Sequence, residues 1–189
     1  MSEPGPVENA TTPAEDRSKP WFVATPTALA REIGRLHKAE ATGDLAALRR
    51  FSDKGSVAPA LFRLLARALP DQNQISTDDI KRYAVIAQMM AQRPEALRAG
   101  SLGAALHTAR FSEQRLAMLL NARGSTFLDL ARRTARRLAG AELPALPYGE
   151  LASLILLDGR ETYDMKADDI RIGIARDYQR AEYTASKTD

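Results

Sequence analysis

Residues 127–140 read FLDLARRTARRLAG, and their spacing decides the fold. Phe127, Ala131, Thr134 and Leu138 recur at intervals of three and four, so a helix gathers them on one face. Arg132, Arg133, Arg136 and Arg137 then fall on the opposite face, with Thr126 and Asp129 as the expected caps. Like charges at i, i+4 cost an isolated helix roughly a few tenths of a kcal/mol per pair, and a nearby polyanion relieves that cost.

The charge extends outward from this helix. Between Arg98 and Leu138 stand eight arginines (98, 110, 115, 123, 132, 133, 136 and 137) against two acids, Glu113 and Asp129. Eight positive charges against two negative ones leave +6, twice the +3 of the whole chain. A basic excess gathered into one helical stretch is the footprint expected of a phosphate-backbone binder. Arginine outnumbers lysine 21 to 6, and its planar fork suits bidentate phosphate contact.

Composition points the same way for the fold. The chain has 33 Ala and 23 Leu against 4 Val and 8 Ile, and no stretch alternates with a period of two, so an all-α protein is expected. With 189 residues it can bury a core without staples. There is no cysteine, which excludes disulfides, thiolate metal sites and cysteine nucleophiles. No apolar run approaches the 18 or so residues that span a bilayer. The opening MSEPGPVENATTPAEDRSKP lacks an apolar core, so no secretory signal is expected, and the cytoplasm is the expected compartment.

Along the chain, residues 1–20 carry four of the ten prolines and read as a disordered tail. Two small helical bundles are expected beyond it, residues 21–97 and residues 98–189, joined by a short linker, with the basic face on the second. In the first, Thr25-Pro26 reads as a cap and first helical residue, Gly43 as a stop and Asp44 as the next cap. A third helix runs from about Ala58 to Leu69, and Ser76 with Asp79 reads as a capping box. In the second, SLGAALHTA forms a small helix, Ser112 caps the next, and Gly124 reads as its terminating glycine. An apolar helix, YGELASLILLDG, and a terminal helix, DDIRIGIARDYQRAEY, complete the chain.

Catalytic patterns are missing. No phosphate-cradling glycine loop or HExxH helix occurs. Asp78-Asp79 and Asp168-Asp169 sit where acids favour a helix start rather than forming an acid/base dyad. Ser52, Ser56 and Ser112 have no neighbouring base in sequence, His107 reads as a surface or core histidine, and Met89-Met90 as core filler. Neither enzyme activity, cofactor nor metal is expected.

The ordered set GDLAALRR, PALFRLLARAL, SLGAALHTARFSEQRLAMLLNARGSTFLDLARRTARRL and ARDYQ resembles the CasB small subunit of the type I-E CRISPR Cascade complex, over roughly Trp21 to Tyr183. The resemblance implies a non-catalytic, all-helical subunit, paired with a second copy of itself along the crRNA-containing ribonucleoprotein. Its implied partners are the Cascade backbone and large subunits and both the target and non-target DNA strands, with no membrane. The implied task is to stabilise the R-loop in antiviral defence. By position, the resemblance assigns nucleic-acid contact to Arg49 and Arg50, to Arg110 and Arg115, and to Arg132 and Arg133. Local charge adds Arg123, Arg136 and Arg137. Ala104 and Asn121 stand where relatives often carry a basic residue, and the terminal region lacks the tryptophans of some relatives.

Two rivals compete. One is a helix-turn-helix regulator with FLDLARRTARRL as recognition helix, although a uniform arginine strip lacks the Asn, Gln or Ser that read bases. The other is an adaptor whose arginines meet acidic protein surfaces.

Overall fold

The computed structural model describes residues 20–50, 58–70 and 75–187; the expected tail up to residue 19, Ser52 and Ser56 lie outside them. Nine α-helices occupy the described residues: α1 Trp21–Lys38, α2 Thr42–Arg49, α3 Pro59–Ala68, α4 Thr77–Met90, α5 Leu102–Thr108, α6 Glu113–Asn121, α7 Gly124–Gly140, α8 Gly149–Leu157 and α9 Asp164–Ser186. No strand occurs among them, only an isolated bridge between Leu97 and Leu146. The protein is all-α.

Serine starts three helices as its short hydroxyl allows. Ser76 Oγ accepts from the Asp79 amide at 3.1 Å and donates to the Asp79 carboxylate at 2.8 Å. Ser101 and Ser112 cap α5 and α6 in the same way, accepting from Ala104 and Arg115. Asp79 also pairs with Arg160, whose guanidinium lies over the Trp21 ring.

Four boundaries differ from the sequence reading, and at two of them, in α1 and at the start of α7, a distant group supplies what local signals lack. Helix α1 begins at Trp21, so Pro26 lies inside it and Thr25 is buried. Proline has no N–H, so the Phe22 carbonyl has no amide donor four residues on; the Ser153 hydroxyl donates to it instead, at 2.7 Å. Gly43 does not stop α1, which ends in a left-handed Glu40; Gly43 and Asp44 belong to the first turn of α2. Gly124 opens α7 instead of closing α6, and its amide donates to the Asp158 carboxylate at 2.7 Å, which replaces the expected Thr126 and Asp129 caps. Asp168 and Asp169 stand inside α9, whose start is at Asp164.

Helix α8 is the centre. Every residue from Leu151 to Leu157 is buried, as a helix apolar on all sides requires. It packs on α1, α4 and α9, while α4 also packs on α7. The packing therefore runs across residue 97, where the two-bundle division was expected. Helix α5 lies along α9, and Gly103 makes that approach possible: a β-carbon there would stand 2.2 Å from the Ile174 carbonyl oxygen.

Candidate nucleic-acid interface

On α7, Phe127, Ala131, Thr134, Ala135 and Leu138 are buried, as the periodicity predicts. At about 100° per residue, Arg133 and Arg136 lie about 145–155° from the middle of that face. Arg132 and Arg137 lie about 105–115° away, one on each flank. This corrects the expectation that all four stand opposite the core. The Arg132 side chain is 15% exposed and pairs with Asp129 at 3.1 Å. Arg137 reaches to the end of α5, where its Nη2 donates to the carbonyls of Ala109 (3.3 Å) and Arg110 (2.9 Å). Arg133 and Arg136 are exposed.

The remaining sequence-predicted arginines divide the same way. Arg123 is tied to the carbonyls of Leu120 and Ala122 and pairs with Asp168 at 3.4 Å. Arg49 donates to the Ala91 carbonyl at 2.5 Å. Among the described residues, the exposed side chains of Arg50, Arg110, Arg115, Arg133 and Arg136 make no hydrogen bond or ion pair. Both acids of the basic stretch are engaged elsewhere, Asp129 with Arg132 and Glu113 with the Gln179 amide at 2.6 Å. The four cations, Arg110 just beyond α5, Arg115 on α6 and Arg133 and Arg136 on α7, are thus not neutralised from within the described chain. Arg49 and Arg50 end α2, which packs on α1, α3 and α4.

Several supports of this face carry no signal in the sequence. Asp158, 4% exposed, fixes the start of α7 and pairs with Arg171 at 3.8 Å; Arg171 also holds Asp168 at 3.0 Å. Glu150 accepts from the Leu102 amide at 2.7 Å and so caps α5 from α8. Burial pushes its carboxyl above the ordinary glutamate value, against the pull of that hydrogen bond. Tyr178 donates from α9 to the Phe111 carbonyl at 2.5 Å, and burial pushes its phenol up. Each of these is an ordinary polar residue until the fold brings its partner near.

The described residues contain no group of three or more His, Asp or Glu side chains placed to hold a metal ion. No helix among them is long and apolar enough to cross a membrane.

Residues 44–178, well over half of the chain, match the family of the CRISPR-associated protein Cse2. The chain belongs to the Cse2 family. Family membership makes it a subunit of the CRISPR Cascade complex, in agreement with the resemblance read from its sequence. The crystal structure of M. ruber CasB shares its fold with a TM-score of 0.62, covering 85% of this chain and 98% of that one at 18% identity. Among curated proteins no sequence matches.

Proposed function

We propose that this Cse2-family chain is the non-catalytic small subunit that grips the target and displaced DNA strands and thereby stabilises the R-loop. It would sit beside a second copy of itself, against the Cascade backbone and large subunits. The observation that carries the reading is the set of exposed guanidinium groups at Arg110, Arg115, Arg133 and Arg136, with no acid of the described chain to neutralise them. R-loop formation is a nearly balanced exchange in which guide pairing supplies sequence, so modest sequence-blind backbone contacts can tip it. Uniform arginine suits that task because it reads phosphate rather than base edges.

The test is titration of DNA with wild type and an Arg110→Ala/Arg115→Ala/Arg133→Ala/Arg136→Ala variant at several salt concentrations, alone and in reconstituted Cascade. Affinity should fall for every sequence alike. The slope of log affinity against log salt should shrink by up to about 0.9 per lost duplex-phosphate contact, or about 0.7 on a single strand. An unchanged slope in a folded variant would defeat the proposal. Loss confined to one sequence would favour the helix-turn-helix regulator.

A further inference from the structure

Arg110 adopts a left-handed backbone, φ 53°, one residue beyond the C-cap of α5. Its amide donates to the His107 carbonyl at 2.8 Å and the Phe111 amide to the Leu106 carbonyl at 3.0 Å. This closing motif favours glycine, because a β-carbon is strained there. Glu40 ends α1 with the same two bonds, to His37 and Leu36, and a φ of 52°. A charged residue in this conformation is therefore no sign of function by itself.

What distinguishes Arg110 is the clamp around it. Arg137 on α7 donates to the carbonyls of Ala109 and Arg110, and Tyr178 on α9 donates to that of Phe111. The other end of the same short helix is tied as firmly. Glu150 holds the Leu102 amide, and Ser101 holds the Ala104 amide while donating to Asp177 at 2.9 Å. A helix C-terminus presents bare carbonyls and the negative end of the dipole, which repel a phosphate. Here three successive carbonyls, those of residues 109, 110 and 111, are covered by side-chain donors.

We propose that Arg137 is a positioning residue and not itself a phosphate ligand. It screens the end of α5 and locks the turn, so that Arg110 offers its guanidinium to one phosphate of the bound strand in a preset direction. Presetting lowers the ordering cost of the contact, which makes Arg110 the strongest anchor of the face. The inference rests on the nucleic-acid reading above and adds a division of labour within it.

Charge and geometry can be separated at position 137. Arg137→Lys keeps the charge but replaces the long, rigid guanidinium, whose Nη2 donates to both carbonyls, with a shorter and flexible ammonium. Binding of the full-length chain to a labelled single-stranded DNA of arbitrary sequence is measured across salt for Arg110→Ala, Arg110→Gly, Arg137→Lys, the Arg110→Ala/Arg137→Lys pair and Arg133→Ala/Arg136→Ala, with thermal melts alongside. Arg110→Ala and Arg137→Lys should each weaken binding roughly tenfold, the scale of one charge-assisted hydrogen bond. The pair should bind no worse than Arg110→Ala alone. Arg110→Gly, which suits the turn but lacks the cation, should bind as weakly as Arg110→Ala while melting at or above wild type.

Wild-type affinity in Arg137→Lys, or additive losses in the pair, would overturn the positioning role while a weakened Arg133→Ala/Arg136→Ala keeps the broader reading. If Arg137→Lys melts early, the comparison moves to the Arg110→Ala background, where Arg137→Gln must leave affinity unchanged. A further loss there overturns the proposal. If neither Arg110→Ala nor Arg133→Ala/Arg136→Ala alters affinity or salt slope, the nucleic-acid reading itself fails, and this inference with it.

Discussion

The Ser153 hydroxyl on α8 donates to the Phe22 carbonyl on α1 at 2.7 Å, supplying the donor that Pro26 withholds. Ser153 is 4% exposed, so water cannot readily take its place. Ser153→Ala should cost about 1–3 kcal/mol, the penalty of a buried acceptor left unpaired. Pro26→Ala restores an amide to the same carbonyl, so Ser153→Ala should cost less in that background than alone. Denaturant melts of the two singles and the double variant test this; strictly additive losses would contradict it.

Gly103→Ala should be the harshest small change on α5. Its β-carbon would meet the Ile174 oxygen at 2.2 Å and the Tyr178 nitrogen at 2.6 Å, both of them backbone. The helices must part, at a cost of about 1–3 kcal/mol or more. A fall in the urea midpoint with an unchanged helical spectrum is the expected result, and an unchanged midpoint would show that α5 does not sit this close.

Glu150 predicts a pH dependence. Burial, followed by the nearby Asp177 charge, raises its carboxyl above the ordinary 4.5, while the Leu102 amide and Arg176 pull it down. A raised folded-state value means that the folded protein holds the proton more tightly than the unfolded chain, so this group adds stability as pH falls towards 4.5 and costs stability above its raised value. Glu150→Gln keeps an acceptor for the Leu102 amide and removes the titration. Its stability relative to wild type should therefore increase with pH from about 4.5 upward and level off once the raised folded-state value is passed. A constant difference from pH 4 to 8 would show the carboxylate to be well solvated.

The arginines of α7 should differ in stability as well as in binding. Arg133→Ala and Arg136→Ala remove exposed side chains and should each change stability by less than about 0.5 kcal/mol. Arg132→Ala removes a side chain only 15% exposed that pairs with Asp129, and should cost about 1 kcal/mol through lost packing. Thermal melts at equal salt discriminate them, and three equal values would contradict the flank placement.

Fold class and the buried face of α7 were legible because both follow from local chemistry: an Ala/Leu excess favours helices, and three- and four-residue spacing sets a face. The serine caps of α4 and α6 were legible for the same reason, since capping joins residues three apart. The starts of α1 and α7 were not. Thr25-Pro26 and Thr126 look like caps, but α1 runs on through Pro26 with the Ser153 hydroxyl donating to the carbonyl that proline leaves bare, and at α7 the Asp158 carboxylate accepts from the Gly124 amide. The interface divides along the same line. The number of arginines could be counted, whereas which guanidinium groups face outward depends on carbonyls of other helices, as Arg137 and the end of α5 show.

The seat of α8 against α1 sets an order of events during synthesis. The bond between Phe22 and Ser153 spans 131 residues. Helices α1 to α4 leave the ribosome long before α8, which packs on α1 and α4, exists. A growing chain thus carries an unfinished interior through most of its translation, the situation in which exposed apolar surface invites aggregation or chaperone capture. Closing so wide a loop must precede its reward, which slows folding relative to a bundle of neighbouring helices. Ribosome-stalled chains ending before Gly149 should remain sensitive to protease along α1, and protection there should arrive abruptly once residues through Leu157 have emerged.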